Sequence, residues 1–348
     1  MQLNPLRLAV FILLATFSLI CTASERLVTD STGRELALPA KINRVYAAGP
    51  PASVFVFAIA PDKLIGWTRA MRPDEAAYLP PQYANLPELG RLTGRGNTAN
   101  VEVVLAAKPD LIVDAGSTAP TYVSLAQKVE TQTGIPYLLF DGRLSETAKS
   151  FRALGEALGE KTRGDALADL VDQTLAEIRS KIARVPAAKR PRVYYARGVN
   201  GLTTALDGSI NVEVLELLNA VNVAGKSEIS SGLTNVSFEQ VLAWNPDIIV
   251  TTDEVFYRYT VRLDPRWTGL PAVRGKRVYL SPRLPFGWFD FPPGPNRLIG
   301  AQWLAKILYP RIFKDDLEPK VKTFYRLFYH REPRGDEVEA LLNPGNPE

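Results

Sequence analysis

The chain has little of what metal and nucleophilic chemistry needs: one cysteine, one histidine and two methionines in 348 residues. A site for a bare transition metal draws on several His or Cys ligands. No metal site and no cofactor are therefore expected, and uptake of naked zinc, copper or manganese ions is excluded. The histidine, His330, stands in FYHREPRGDE away from other plausible ligands and reads as a packing residue. No GxSxG elbow, P-loop, GxGxxG fingerprint or HExxH pair occurs, so the usual nucleophile and general-base arrangements are missing. A carboxylate-based hydrolase is the enzymatic alternative left by composition. Charge of one sign is also scarce: the net charge of +4 is small and dispersed, which speaks against a nucleic-acid partner.

The long apolar run lies at the start. Arg7 precedes LAVFILLATFSLI, and Cys21-Thr22-Ala23 offers small residues, the pattern of a secretory signal peptide over 1–23 with cleavage near Ala23. The run is shorter than the roughly 20 residues a membrane span needs. Leu19 and Ile20 stand where a lipoprotein signal prefers a small residue before Cys21. Cleavage would remove the only thiol, which suits an oxidising compartment.

The remaining chain is organised around one stretch, Glu160 to Val185. Leu167, Leu170, Val171, Leu175, Ile178, Ile182 and Val185 recur at three- and four-residue steps, giving one apolar stripe on a single helix. Such a rod would span roughly 35 Å at 1.5 Å per residue. On each side, strand-like runs alternate with helical patterns, the sign of parallel sheets covered on both faces. The spacing predicts an α/β chain with an N-terminal lobe over 24–159, a bridging helix over 160–185 and a C-terminal lobe over 186–348.

The two flanks also share a sequence. VEVVLAAKPDLIVDA from Val101 aligns without gaps on FEQVLAWNPDIIVTT from Phe238, 137 residues later (238 minus 101), matching Glu102 with Glu239 and Leu105 with Leu242. Two lobes of like topology follow.

With RVYAAGPPAS, the KPDLIV and NPDIIV units, the single long helix and NRLIGAQWLAKILYP, the chain resembles the periplasmic substrate-binding proteins of ABC importers for iron-siderophore, haem and cobalamin-type ligands. The resemblance covers essentially the whole mature chain. It implies two Rossmann-like lobes joined by a rigid helix, a ligand in the cleft between them, a periplasmic location, a monomer, and a permease dimer in the inner membrane as partner. It also implies that Glu102 and Glu239 are the carboxylates that pair with permease arginines, although both positions equally suit acids favoured by a helix N-terminus.

Loops at strand C-termini should build the cleft. They offer Trp67, Arg69, Arg72, Arg95, Ser117, Thr118 and Tyr122 from the first lobe. From the second come Arg197, Tyr257, Arg258, Tyr259, Trp288, Phe289 and Asp290. Arginines among aromatics suit a flat anionic ligand, and the expectation is a metal chelate such as a ferric siderophore. Molybdate or tungstate, or a nickel or cobalt complex, are the alternatives.

Overall fold

The structure is a computed structural model that describes residues 26–94, 96–225 and 232–345. The signal-like stretch 1–23 and Arg95 lie outside the described residues. RLVTDSTGRELALP folds as a hairpin: β1 (Arg26–Thr29) pairs antiparallel with β2 (Glu35–Leu38). Gly33 takes φ +83° in its turn, where a β-carbon would be strained.

The first lobe is a parallel sheet of β3 (Val45–Ala47), β4 (Leu111–Gly116) and β5 (Tyr137–Asp141), in that order. Its helices are α1 (Pro50–Ile59), α2 (Val101–Ala107), α3 (Pro120–Thr133) and α4 (Thr147–Leu158). Phe55, Phe57, Phe151 and Leu154 of α1 and α4 share a core with Leu111, Val113 and Leu138. Val104, Ala126 and Val129 of α2 and α3 pack with Tyr46, Ile112 and Tyr137. Burial on both faces explains why these strands are continuous apolar runs. KLIGW makes only isolated bridges, from Leu64 to Val45 and from Trp67 to Glu88. Gly66 between them is pressed against Leu89 and the Pro87 carbonyl.

The bridging helix is α5 (Lys161–Ile182). Its corner with α4 is made by two glycines: a β-carbon on Gly164 would stand 2.7 Å from the Phe151 carbonyl and 2.9 Å from Gly155 Cα. The predicted stripe is buried at Leu167, Val171, Leu175, Ile178 and Ile182. The helix stops before Val185, whose N–H bonds to the Ile182 carbonyl in a closing turn.

The second lobe contains β6 (Arg192–Ala196), β7 (Thr203–Ala205), β8 (Val221–Asn222), β9 (Leu233–Asn235), β10 (Ile248–Thr251) and β11 (Val278–Leu280). Four of these form a parallel sheet in the order β11-β10-β6-β8, and β7 pairs antiparallel with β9. VEVLELLNAVNVAG forms the short α6 (Glu213–Leu217) before turning into β8. Asn219, left-handed at φ 51°, makes that turn.

The repeated unit is repeated in atomic detail. In the second lobe it is α7 (Phe238–Trp244) followed by β10. Asn100 and Ser237 cap α2 and α7 by accepting from Val103 N and Gln240 N. Lys108 and Asn245 end them in left-handed conformations, at φ 47° and 42°. Asp110 and Asp247 then accept backbone N–H groups that lead into the first strand of each lobe, from Arg44 at 2.9 Å and Arg192 at 3.0 Å. Those two arginines reach back to the last carbonyls of the helices, Ala107 and Trp244. One device closes the return from helix to strand in both lobes.

The last helices are α8 (Arg297–Leu308), α9 (Glu318–Phe328) and α10 (Gly335–Leu342). Here the structure departs from the expected boundary of 186–348. Helix α8 packs on α5 and α6, whereas α9 packs on α1 and α10 packs on α9. His330 Nε2 lies 2.8 Å from the Phe57 carbonyl. The chain returns to the first lobe because Phe324 and Phe328, on one face of α9, find their apolar partners there. No helix among the described residues is long and apolar enough to cross a membrane.

Burial and then the neighbouring Arg163 hold the His330 imidazole below its ordinary value. Its neutral form therefore stabilises the fold, a contribution present above the unfolded value of about 6.5 and lost as pH falls below it. His330→Gln is expected to flatten the loss of stability below about pH 6.5, measured by urea unfolding across pH.

Candidate functional site

Parallel α/β lobes expose their loops at strand C-termini, and the loop after β5 meets the second lobe where Gly142 faces Ile210. The first lobe contributes Gly49 and Pro50 after β3, Gly116 and Ser117 after β4, and Gly142 and Arg143 after β5. The second contributes Arg197 after β6, Thr252 and Asp253 after β10, and Ser281 after β11.

The lobes are pinned together at the floor of this cleft by Arg297, a fully buried guanidinium at the start of α8. It donates to the Gly142 carbonyl of the first lobe at 2.5 Å and to the Ile210 carbonyl of the second at 2.9 Å. It also donates to Glu213 at 2.5 Å and to the Gly294 carbonyl at 3.1 Å. Glu213 in turn accepts from Leu144 N across the interface at 2.9 Å. Glycine at 142 is required here: a β-carbon would lie 2.7 Å from Gly116 Cα and 3.3 Å from Ile210 Cδ1.

Two buried carboxyls stand behind the cleft walls. Asp114 accepts from the Thr93 hydroxyl at 3.0 Å, the Tyr137 hydroxyl at 3.1 Å and Ala115 N at 2.9 Å. It thereby ties Thr93 to the sheet, and burial pushes its carboxyl up from the ordinary range. In the second lobe Asp290 pairs with Arg197 and accepts from the Tyr195 hydroxyl at 2.6 Å. Burial pushes the Asp290 carboxyl up, opposed by Arg197 and by Tyr195. Arg197 keeps a partly exposed edge, its guanidinium 5.7 Å from the Tyr195 ring centre.

Of the residues expected to contact ligand, Arg197 and Asp290 are brought together. Trp67 is 1% exposed, donates to the Tyr83 carbonyl at 2.7 Å and packs on Phe57 and Phe286. Trp288 is fully buried, its indole N–H on the Tyr325 hydroxyl at 3.2 Å. Both tryptophans are core residues rather than stacking surfaces, because each ring is buried beside aromatic side chains and an internal acceptor meets each N–H. Phe289 is likewise buried, against Tyr195. Arg69 is neutralised by Glu75 at 2.6 Å and Arg258 by Glu254 at 2.7 Å. Tyr257 lies under Arg262 at 4.9 Å and against Gly345, while Tyr122 stays exposed in the first turn of α3. Glu102 and Glu239 are exposed on α2 and α7, and backbone and Ser237 hydrogen bonds hold the Glu239 carboxyl below its ordinary value. Arg297 and Glu213 were missed, although an arginine opening the apolar run LIGAQWLA was a visible signal.

Residues 58–283, more than half the chain, match the family described as periplasmic binding protein. The chain belongs to the periplasmic binding protein family. An ABC transporter solute binding protein from Sulfurospirillum deleyianum superposes with a TM-score of 0.81 at 33% identity, covering 91% of this chain and 98% of that one. The molybdate-binding protein MolA of Haemophilus influenzae is 27% identical over 97% of this chain and 99% of its own length. Its molybdate-bound structure superposes with a TM-score of 0.72 at 25% identity, covering 89% of this chain and 99% of that one. The vitamin B12-binding protein of Vibrio cholerae is 28% identical over 63% of this chain and 73% of its own length. This binding protein is thus a substrate-binding component of ABC transport, in a family of carriers rather than enzymes.

Two outcomes follow for its variants. Arg297→Met, which leaves Glu213 without its cation, is expected to destabilise the protein by about 3–5 kcal/mol, read from the urea midpoint. Trp67→Ala is expected to cost about 3–5 kcal/mol of stability, with ligand affinity of the folded fraction kept within about threefold in calorimetry; a selective loss of affinity would return Trp67 to the cleft.

Proposed function

We propose that this protein captures a small tetrahedral oxyanion of the molybdate or tungstate class in the periplasm and hands it to the permease of an ABC importer. The observation that carries this reading is the pinned, glycine-lined cleft floor at Gly116, Gly142 and Ile210, with Trp67 and Trp288 turned into the core. A small ion suits such a site better than a flat chelate that needs aromatic faces. The first turns of α1 and α3 support it. Neither has a side-chain cap or an acidic residue, and both begin at strand ends on the cleft, where helix N-termini favour negative charge. Arg197, positioned by Asp290, supplies a directed charged donor; Ser117 and Thr118, after β4, and Arg95, outside the described residues, are the further candidates. MolA, similar along its whole length, is a molybdate-binding protein.

A compact metal chelate is the second reading, favoured by Phe291, 63% exposed beside Asp290. In either case Glu102 and Glu239 dock the loaded protein to the permease dimer, and residues 1–23 direct export. Titration calorimetry with molybdate, tungstate, sulfate and a ferric siderophore tests the choice. Arg197→Gln combined with Asp290→Asn, which removes the pair without stranding a charge, is expected to weaken molybdate binding about tenfold or more. Binding of the ferric complex with no heat from molybdate would reverse the order of the two readings.

A further inference from the structure

Helices α2 and α7 present the same outer face. Val104 and Val241 are fully buried at their inner sides, while Glu102 and Glu239 are exposed. Three residues on, Leu105 and Leu242 are 45% and 54% exposed, each followed by an exposed alanine, Ala106 and Ala243. Positions three apart share a helix face, so each lobe shows one carboxylate beside one apolar knob. A single exposed leucine needs no explanation. Here the same leucine recurs at the equivalent place of both lobes, set by the same cap, the same left-handed end and the same aspartate return.

We propose that Leu105 and Leu242 form the apolar half of a duplicated docking surface for the two-fold importer permease, which meets each lobe with a basic side chain beside an apolar socket. This rests on the transport reading and on docking through Glu102 and Glu239, and adds to them a contact that salt does not screen. Charge selects the partner. Among the described residues neither glutamate takes part in an ion pair, and Arg266, near α7 over the Phe238 ring, is held by Asp264 at 2.6 Å. A second copy of this chain would set glutamate against glutamate in an isologous contact, whereas a basic two-fold partner satisfies both patches. The two halves of the surface act differently. Carboxylates steer encounter over a distance that salt shortens, and leucines resist separation once water is expelled.

The test uses the full mature protein and its importer, permease with ATPase subunits, in lipid nanodiscs, with capture followed by interferometry at about 50 mM and about 500 mM salt. Leu105→Ser with Leu242→Ser is expected to weaken capture about tenfold at both salt concentrations, mainly through faster dissociation. Glu102→Gln with Glu239→Gln is expected to weaken it at low salt and to change little at high salt. An unchanged melting temperature confirms that the surface variants fold. If the leucine pair is neutral while the glutamate pair is not, the apolar contact is overturned and carboxylate docking stands. If only one leucine matters, the duplicated surface is overturned. If the wild-type protein is not captured, the transport reading falls, and this inference with it.

Discussion

A buried guanidinium decides how the two halves of this molecule meet. Arg297 has lost its water on every side, and such an ion is tolerated only where hydrogen bonds and a counter-charge replace its hydration. Its partners are drawn from both lobes: a carbonyl at the end of β5, another before α6, and Glu213, which also receives an N–H from the first lobe. The planar fork of arginine suits this, because its donors point in fixed directions and tolerate few alternative arrangements of the acceptors. Separating the lobes at this point would expose or strand a charge, so relative motion is confined to small rotations about the clamp rather than wide opening.

That constraint shapes the cleft. With the floor held at Gly142, the space available to a ligand is set by loops above it, and those loops are themselves anchored by buried acids. Asp114 holds Thr93; Asp290 holds Arg197. Neither carboxyl needs to touch a ligand to matter. Each fixes the position of a neighbour that can, and the rigidity bought in this way favours recognition by direction over recognition by area.

The fold was largely legible before any coordinates, because its signals are periodic or repeated. The stripe of α5 and the Val101 and Phe238 units are patterns that packing reads directly. Side-chain direction in loops is not periodic, and there the sequence misled. Trp67 and Trp288 follow strands as cleft residues do, yet turn inward because Phe57, Phe286 and Tyr325 offer them aromatic neighbours from distant parts of the chain. Arg69 and Arg258 looked available as cations, but carboxylates six residues later and four residues earlier neutralise them. Arg297 escaped notice because burial of a charge depends on acceptors gathered from three separate segments. Helix α6 is short for a local reason: left-handed Asn219 turns the chain although the leucines before it suit a longer helix.

The return of α9 and α10 to the first lobe has a consequence for the order in which the protein can form. The first lobe is sewn from both ends of the chain, with Phe57 and Tyr78 awaiting His330 and Glu337. A polypeptide emerging N-terminus first from a ribosome or a translocation channel completes its second lobe, through α8, before α9 and α10 become available to the first. Its first lobe stays unfinished until the final helices arrive, and exposes the phenylalanines of α1 in the interval. Such late-closing domains depend most on holding factors during synthesis and transit, so a C-terminally shortened version of this chain would fail in the lobe that its N-terminus encodes.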